Sequence, residues 1–378
     1  MTSPMAITIA KQTTVSAIAL FPGGHGKPQL RPFPFTAHRN PPMCLLAGEQ
    51  PSRADSGDGQ RLQHHASEYA RGFSHSSVML AEIVALFDDS EGCIVDATLG
   101  AGGHAEALLE AHPRISVIGL DRDRAAIAAA TRRLARFGGR FVAHHVRFDD
   151  ISTVVERSTC SGVIFDLGVS SPQLDHADRG FSHRFEGPLD MRMDDTDSLT
   201  AAEVVNTYRE HELVTLLREY ADERHAKRIA SAIVSARPLS TTSELADVVV
   251  NAVPAAARRR QQRHPAMRTF QAVRIEVNSE LDLLRPALES AVDALKPGGR
   301  IAVLSYHSGE DRIVKQLLRD ESRTSPKGRP DLPPPPDMVT RLRLLWSGSR
   351  QPGDIELSAN PRSASARLRA AERTEQGL

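Results

Sequence analysis

Cys93-Ile-Val-Asp96-Ala-Thr-Leu-Gly100-Ala-Gly102-Gly103-His104, then a helix-like run, then Val117-Ile-Gly-Leu-Asp121-Arg-Asp123: this stretch reads as strand, glycine turn, helix and second strand, ending on a carboxylate. Ile94 and Val95 begin a short apolar run bounded by turn residues, as a strand buried on both faces requires. Gly100, Gly102 and Gly103 let the chain turn sharply and leave no side chain between backbone and ligand. Asp121 stands 19 residues after Gly102, the spacing that puts an acid at the tip of the next strand, within reach of a ribose hydroxyl pair. The stretch is expected to be a nucleoside-cofactor site.

Two cofactors compete for it. Gly100-Ala-Gly102-Gly103-His104-Ala105 can be fitted to the dinucleotide fingerprint, which would make the chain an NAD-dependent oxidoreductase, but such a match alone is weak. Asp96, four residues before the first glycine, would repel a pyrophosphate and attract a cationic amino-acid group. S-adenosylmethionine (SAM) offers an adenosine for Asp121 and a cationic amino-acid half, with no phosphate. It is the expected cofactor.

The chain has 378 residues, long enough for two domains or for one domain with a large insertion. Lys+Arg and Asp+Glu are both 47, so no net field steers it to nucleic acid, and any such affinity must come from local patches. Cys44, Cys93 and Cys160 are widely spaced, which argues against a disulfide framework or a zinc site and fits a reducing cytoplasm; no metal is expected. No apolar run approaches a membrane span. Aromatic content of 4% argues against a broad base-stacking platform.

Residues 1–70 are expected to be a disordered extension or the product of an over-long reading frame, since Met43 could also start translation. Their basic, acid-poor start mimics a transit peptide, but no small-residue cleavage site is convincing. Folding is expected from about His75. A first α/β part then covers 71–177: helices over Val78–Phe87, Ala105–Ala111 and Arg124–Phe137, strands over Phe141–Val146 and Gly162–Asp166. Strands and helices alternating at this interval mean βαβ units and a parallel sheet, an α/β fold. From 178 to 272 no strand is clear, and helix-like runs at Ala201–Val205, Glu212–Ala221, Ala226–Ala236 and Ser243–Val253 read as a helical insertion. Arg258, Arg259, Arg260, Arg263 and Arg268 fall within eleven residues without an acid; a phosphate-binding surface and a solvated helix face are both open there. The sheet is expected to resume over 273–320. A long helix spans Val273–Leu295, Lys296-Pro-Gly-Gly299 turns the chain, and Arg300–Ser305 is a strand. Residues 321–378, with Pro333–Pro336, read as loop and basic C-terminal segment.

The fourth strand ends in Asp166-Leu-Gly-Val-Ser170-Ser171-Pro172-Gln173-Leu174-Asp175. In an open α/β sheet the ligand lies beyond the carboxyl ends of the strands, so this loop faces the cofactor site. A Ser-Ser-Pro-Gln turn there is similar to the Pro-containing loop of enzymes that methylate exocyclic amino groups of bases. Such an amine is a poor nucleophile because its lone pair is delocalised into the ring. Oxygen acceptors such as the Ser171 hydroxyl and carbonyl, aimed in advance by Pro172, would hold its N–H bonds and favour the pyramidal form. His307, at the end of the strand after Lys296-Pro-Gly-Gly299, and Asp190 and Asp194, flanking Arg192, are lesser candidates. Their plainer readings are a supporting hydrogen bond and a structural ion pair.

Taken together the blocks resemble one family, the bacterial small-subunit ribosomal RNA (cytosine-N4) methyltransferases. The stretches that carry the likeness are His75–Leu80, Gly100–His104, Leu120–Asp123, Asp166–Asp175, Arg179–Ser182, Gly187–Asp194, Glu223–Ala230, His264–Glu280 and Ser305–Lys315. It runs from about residue 74 to 373, departing from the family at Gly309 and Ala364 and having no counterpart for 1–70. The resemblance implies a class I SAM-dependent methyltransferase fold, Rossmann-like with a mainly parallel sheet, interrupted by an all-helical substrate domain. It implies transfer of methyl from SAM to N4 of a decoding-centre cytidine in 16S rRNA of the small ribosomal subunit. By matching position, cofactor contacts fall on Gly102, Gly103, His104, Asp121, Phe148, Asp166 and Gln173; catalysis is placed on Asp166, Ser171 and Pro172 by the amine chemistry of the loop after the fourth strand. A non-catalytic small-subunit assembly factor and an N4-cytosine DNA methyltransferase are the alternatives. The lack of an aromatic after Pro172 speaks against the second.

Overall fold

The computed structural model describes residues 77–260, 263–324 and 339–375, and of Ser171 and Pro172 the backbone only. Its centre is a seven-stranded sheet built from β1 (Gly92–Asp96), β2 (Ile115–Asp121), β3 (Phe141–His145), β4 (Cys160–Asp166), β5 (Leu295–Ser305), β6 (Leu342–Leu344) and β7 (Arg367–Arg373). The spatial order is β3-β2-β1-β4-β5-β7-β6; the first five strands are parallel, and β7 runs antiparallel between β5 and β6. The order reverses beside β1, so the carboxyl ends of β1, β2 and β4 open a crevice there.

Central strands with near-continuous apolar runs must be covered on both faces. Side chains alternating along each strand supply two cores. Val95, Val163, Phe165, Ile301 and Val303 face α-helices that follow the insertion, while Ile94, Val117, Ile164 and Leu304 face those that precede it. The earlier helices are α1 (Leu80–Ala85), α2 (Gly103–Ala111) and α3 (Arg124–Leu134); α4 (Ser171–Asp175) is one short turn after β4. The expected start near His75, the extension over 1–70 and the proline run Pro333–Pro336 lie outside the described residues.

Between β4 and β5 come α5 (Ala201–Thr207), α6 (Glu210–Ala221), α7 (Ala226–Ala236), α8 (Thr242–Ala252), α9 (Ala255–Arg260) and α10 (Met267–Asn278). Their apolar faces close on a third core that includes Val204, Leu217, Ile229, Val249, Phe270 and Val277. Thr200 and Thr241 cap α5 and α8 through their side-chain oxygens, and Glu244 completes a capping box at the latter.

Three expectations are corrected. The helix read over Val273–Leu295 is two helices, α10 and α11 (Glu280–Ala294), broken at Ser279, whose φ of 50° lies in the left-handed region. The break is fixed by a buried ion pair, Arg274 Nε and Nη2 donating to Glu280 at 2.8 Å each. It gives α10 to the insertion's core and α11 to the sheet. Second, Lys296-Pro-Gly-Gly299 does not end a turn before the strand; it bulges out of β5 itself, where pairing with β4 jumps from Cys160–Leu295 to Gly162–Arg300. Third, the C-terminal segment is not only loop: Arg367–Arg373 is an inner strand of the sheet. Its arginines hid it. Arg369 is buried against both Asp311 oxygens and Arg373 donates to the Val292 carbonyl, so charged residues stand where a strand pattern calls for apolar ones.

Candidate functional site

Three carboxylates gather at the carboxyl ends of adjacent strands: Asp96 on β1, Asp121 on β2 and Asp166 on β4. The glycine turn runs between them. Gly100 and Gly102 have φ of 51° and 79°, a region open to glycine at little cost. Gly103 begins α2, and a Cβ on it would strike the Ser77 hydroxyl.

Each acid is held differently. Asp121 accepts from Gly100 N–H at 2.8 Å through one oxygen and from Asp123 N–H at 2.9 Å through the other. These bonds fix the carboxylate at the strand tip with lone pairs to spare, the arrangement that suits a pair of ribose hydroxyls. Asp96 is 1% exposed. One of its oxygens accepts from Thr98 N–H, and the other is buried with no hydrogen-bond partner. Burial, with the charges of Asp166 and Asp121 adding to it and His104 opposing, pushes its carboxyl up to about 6. An orphaned buried carboxylate oxygen beside a glycine cradle asks for a cation. A nucleoside carrying an ammonium-bearing amino-acid arm satisfies Asp96 and Asp121 together; a dinucleotide pyrophosphate satisfies neither.

Asp166 is the most elaborately supported. Its N–H donates to Thr98 Oγ1 at 2.6 Å, its Oδ1 accepts from the Tyr306 hydroxyl at 2.6 Å, and its Oδ2 lies 3.6 Å from His104 Nδ1. His104 Nε2 in turn meets the Val78 carbonyl at 3.0 Å, which orients the ring. Burial raises the Asp166 carboxyl; His104 and the Tyr306 hydrogen bond pull it back. Burial beside this carboxylate also pushes the Tyr306 phenol far up, so it stays a donor. Tyr306 was not singled out in the sequence. Its one signal was position, directly after Ser305 at the end of β5.

The loop after β4 is tied to the same edge. Gln173 is buried, and both ends of its amide are engaged within the chain: Oε1 accepts from Ser170 N–H at 3.0 Å and Nε2 donates to Asp123 Oδ2 at 3.0 Å. Arg179 Nη1 donates to the same oxygen at 2.9 Å, while Asp123 Oδ1 caps α3. Gln173 therefore sets the loop. Phe148 packs edge-on to Phe165 at 6.3 Å between centroids and is partly exposed beyond β3. The side chains of Ser171 and Pro172 lie outside the described residues; their backbone opens α4 at this edge.

The lesser candidates resolve into structure. His307 Nδ1 accepts from Gly309 and Glu310 N–H groups and caps α12 (Ser308–Glu321), with Nε2 3.1 Å from Glu310 Oε1. Asp190 takes a two-pronged bond from Arg192 at 2.9 and 2.7 Å. Asp194 binds Thr196 and faces His145 at 3.5 Å. A cavity of about 420 Å³ beside Arg122, His145, Arg147 and Asp194 opens at the carboxyl ends of β2 and β3, and none of the three strand-end carboxylates lines it. The five arginines expected at an RNA surface stand on α9, just after it and at the start of α10. Arg259, Arg260, Arg263 and Arg268 are exposed and Arg258 half-buried. Among the described residues no group of His, Cys, Asp and Glu side chains could hold a metal ion, and no helix is long and apolar enough to cross a membrane.

Residues 72–374 match the model of a family described as the MraW methylase family. A protein of Thermobifida fusca named ribosomal RNA small subunit methyltransferase H is 51% identical over 314 residues, covering 80% of this chain and 94% of its own. One of the same name from Salinispora tropica is 52% identical over 288 residues, covering 74% and 77%. A solved rRNA methylase of Streptococcus thermophilus is a distant likeness, with a TM-score of 0.35 and 13% identity over 78% of this chain and 92% of that one.

Proposed function

The chain belongs to the MraW methylase family, and on that premise we propose that it methylates the exocyclic N4 of a decoding-centre cytidine in 16S rRNA of the small ribosomal subunit, in the cytoplasm, using SAM. The observation that carries the reading is the strand-end triad: Asp121 held open for a ribose, Asp96 with a buried oxygen awaiting a cation, and Asp166 beside a Ser-Pro turn. Gly102 and Gly103 let the backbone close on the cofactor, Phe148 lies alongside the adenine, and His104 steadies the wall of the cleft. When bound, SAM supplies an electrophilic methyl group on a sulfonium.

The chain's own work is to prepare the amine. A cytosine amino group has two N–H donors, and an ionised Asp166 aimed by Tyr306 can accept one of them. The Ser171 carbonyl, fixed by Pro172, is the second acceptor in this reading. Holding both N–H bonds out of the ring plane localises the lone pair on nitrogen. Asp166 or water then takes the proton. The insertion over 178–272 and its arginines, Arg258, Arg259, Arg260, Arg263 and Arg268, provide the RNA-facing side, across the crevice from the sheet. A flipped base between the two parts would be shielded from water.

The test is methyl transfer from labelled SAM to small subunits lacking the modification, followed by nucleoside analysis. Label in N4-methylcytidine is expected. Label in another nucleoside would overturn the assignment of the target atom. SAM binding without transfer to any subunit would favour the assembly-factor reading.

A further inference from the structure

The rings of His183 and His264 stack at 4.5 Å between centroids and 20° between planes, with Phe270 edge-on behind His183 at 5.8 Å. This pair joins the loop after β4 to the approach of α10. Burial first, then the neighbouring His264 and Arg184, pushes His183 down to about 4, so its ring is neutral at physiological pH and the stack holds without charge repulsion.

Outward from His183 the loop turns to solvent. Arg184 is exposed and Phe185 is 48% exposed. Of the five large apolar side chains left so open among the described residues, Phe185 alone is aromatic. Arg184 adjoins Phe185 in the chain and Arg263 adjoins the stacked His264; neither meets a carboxylate among the described residues, and the acid next to Phe185 is the exposed Glu186. Arginines nearer the sheet, Arg122, Arg179, Arg192 and Arg274, are all paired. The loop that carries Phe185 is anchored at the strand-end edge of the sheet. Arg179 is bonded to Asp123, and four residues of chain to His183 reach at most about 14 Å.

Uncommitted guanidinium groups attract any nucleic acid through its phosphates. An open aromatic ring adds a preference, because only unpaired bases offer a free face to stack on. Resting on the proposed function, we infer that Phe185, two residues beyond the stacked His183, is a stacking site for an unpaired nucleotide of the RNA flanking the target base, with Arg184 and Arg263 holding its backbone.

The test uses the full chain and measures anisotropy with a labelled oligocytidylate of about twelve nucleotides and with a blunt RNA duplex of equal length. Phe185→Ala is expected to weaken the single strand at least about fivefold, from ~1 kcal/mol per stacked base. Duplex affinity should hold within about twofold, with an unchanged salt slope. Phe185→Tyr should restore binding. By contrast, alanine at Arg258, Arg259 and Arg260 should weaken both ligands and flatten the single-strand salt slope by about two. Single-strand affinity unchanged by Phe185→Ala, or equal losses on both ligands, would overturn the inference. The readout needs no methyl transfer, so its failure stays separable from failure of the catalytic reading.

Discussion

Replacing Tyr306 with Phe removes one oxygen and leaves the ring in place. What is lost is the 2.6 Å bond to Asp166 Oδ1, made between two half-buried side chains. A hydrogen bond to a charged group is worth about 1.5–3 kcal/mol. If it orients Asp166 only as the amine reacts, its loss should lower kcat by about tenfold to a hundredfold. A second effect has a definite sign. The Tyr306 hydroxyl favours the ionised carboxylate and pulls the Asp166 carboxyl down against burial. Without it less Asp166 is ionised at a given pH, so the acid limb of the rate profile should move to higher pH. SAM affinity should change little, because Asp96 and Asp121 are untouched. The assay is single-turnover methyl transfer across a pH series, with SAM binding measured in parallel. An unchanged rate and an unmoved acid limb would refute the positioning role, and so would a drop in melting temperature with catalysis per folded molecule intact.

Asp96→Asn should raise thermal stability at neutral pH while abolishing or greatly weakening SAM binding. Its folded value of about 6 lies above the unfolded one, so the native state binds the extra proton and stability falls as pH rises from about 4 to 6. Two units correspond to roughly 3 kcal/mol, which the amide should recover above pH 6 and not below pH 4. A melting curve for the variant that tracks the parent at every pH would contradict this. Gly180→Ala should cost roughly 2–4 kcal/mol, since φ there is 71° and a Cβ would run into the Pro188 carbonyl oxygen. Denaturant unfolding would show it, and a loss below about 1 kcal/mol would mean that the loop gives way easily.

The core of this architecture was legible because local chemistry and fold agree there. The apolar run into Asp96, the glycines and the spacing to Asp121 each signal the same strand–turn–helix unit. The helical insertion showed itself by period, and its helices lie within a few residues of the runs that marked them. What escaped was decided by partners distant in the chain. Nothing local marks Leu368–Arg373 as an inner strand until Asp311 and the Val292 carbonyl receive its arginines. The break at Ser279 depends on Arg274 reaching Glu280, a pair that on a continuous helix would look like surface charge. In the site, Asp121 could be read from spacing, whereas Tyr306 is separated from Asp166 by 140 residues and becomes visible only when β4 and β5 lie side by side. The tie that the Gln173 amide makes between Ser170 and Asp123 likewise joins residues 50 apart and shows only in the fold.

The proposed activity requires that the strand-end carboxylates hold SAM. Calorimetric titration of SAM into the wild-type chain and Asp121→Ala, side by side, tests it. Clear binding to the wild type, lost in the variant while its melting temperature stays close to the parent's, is the expected result. Binding of equal strength to both would contradict the site.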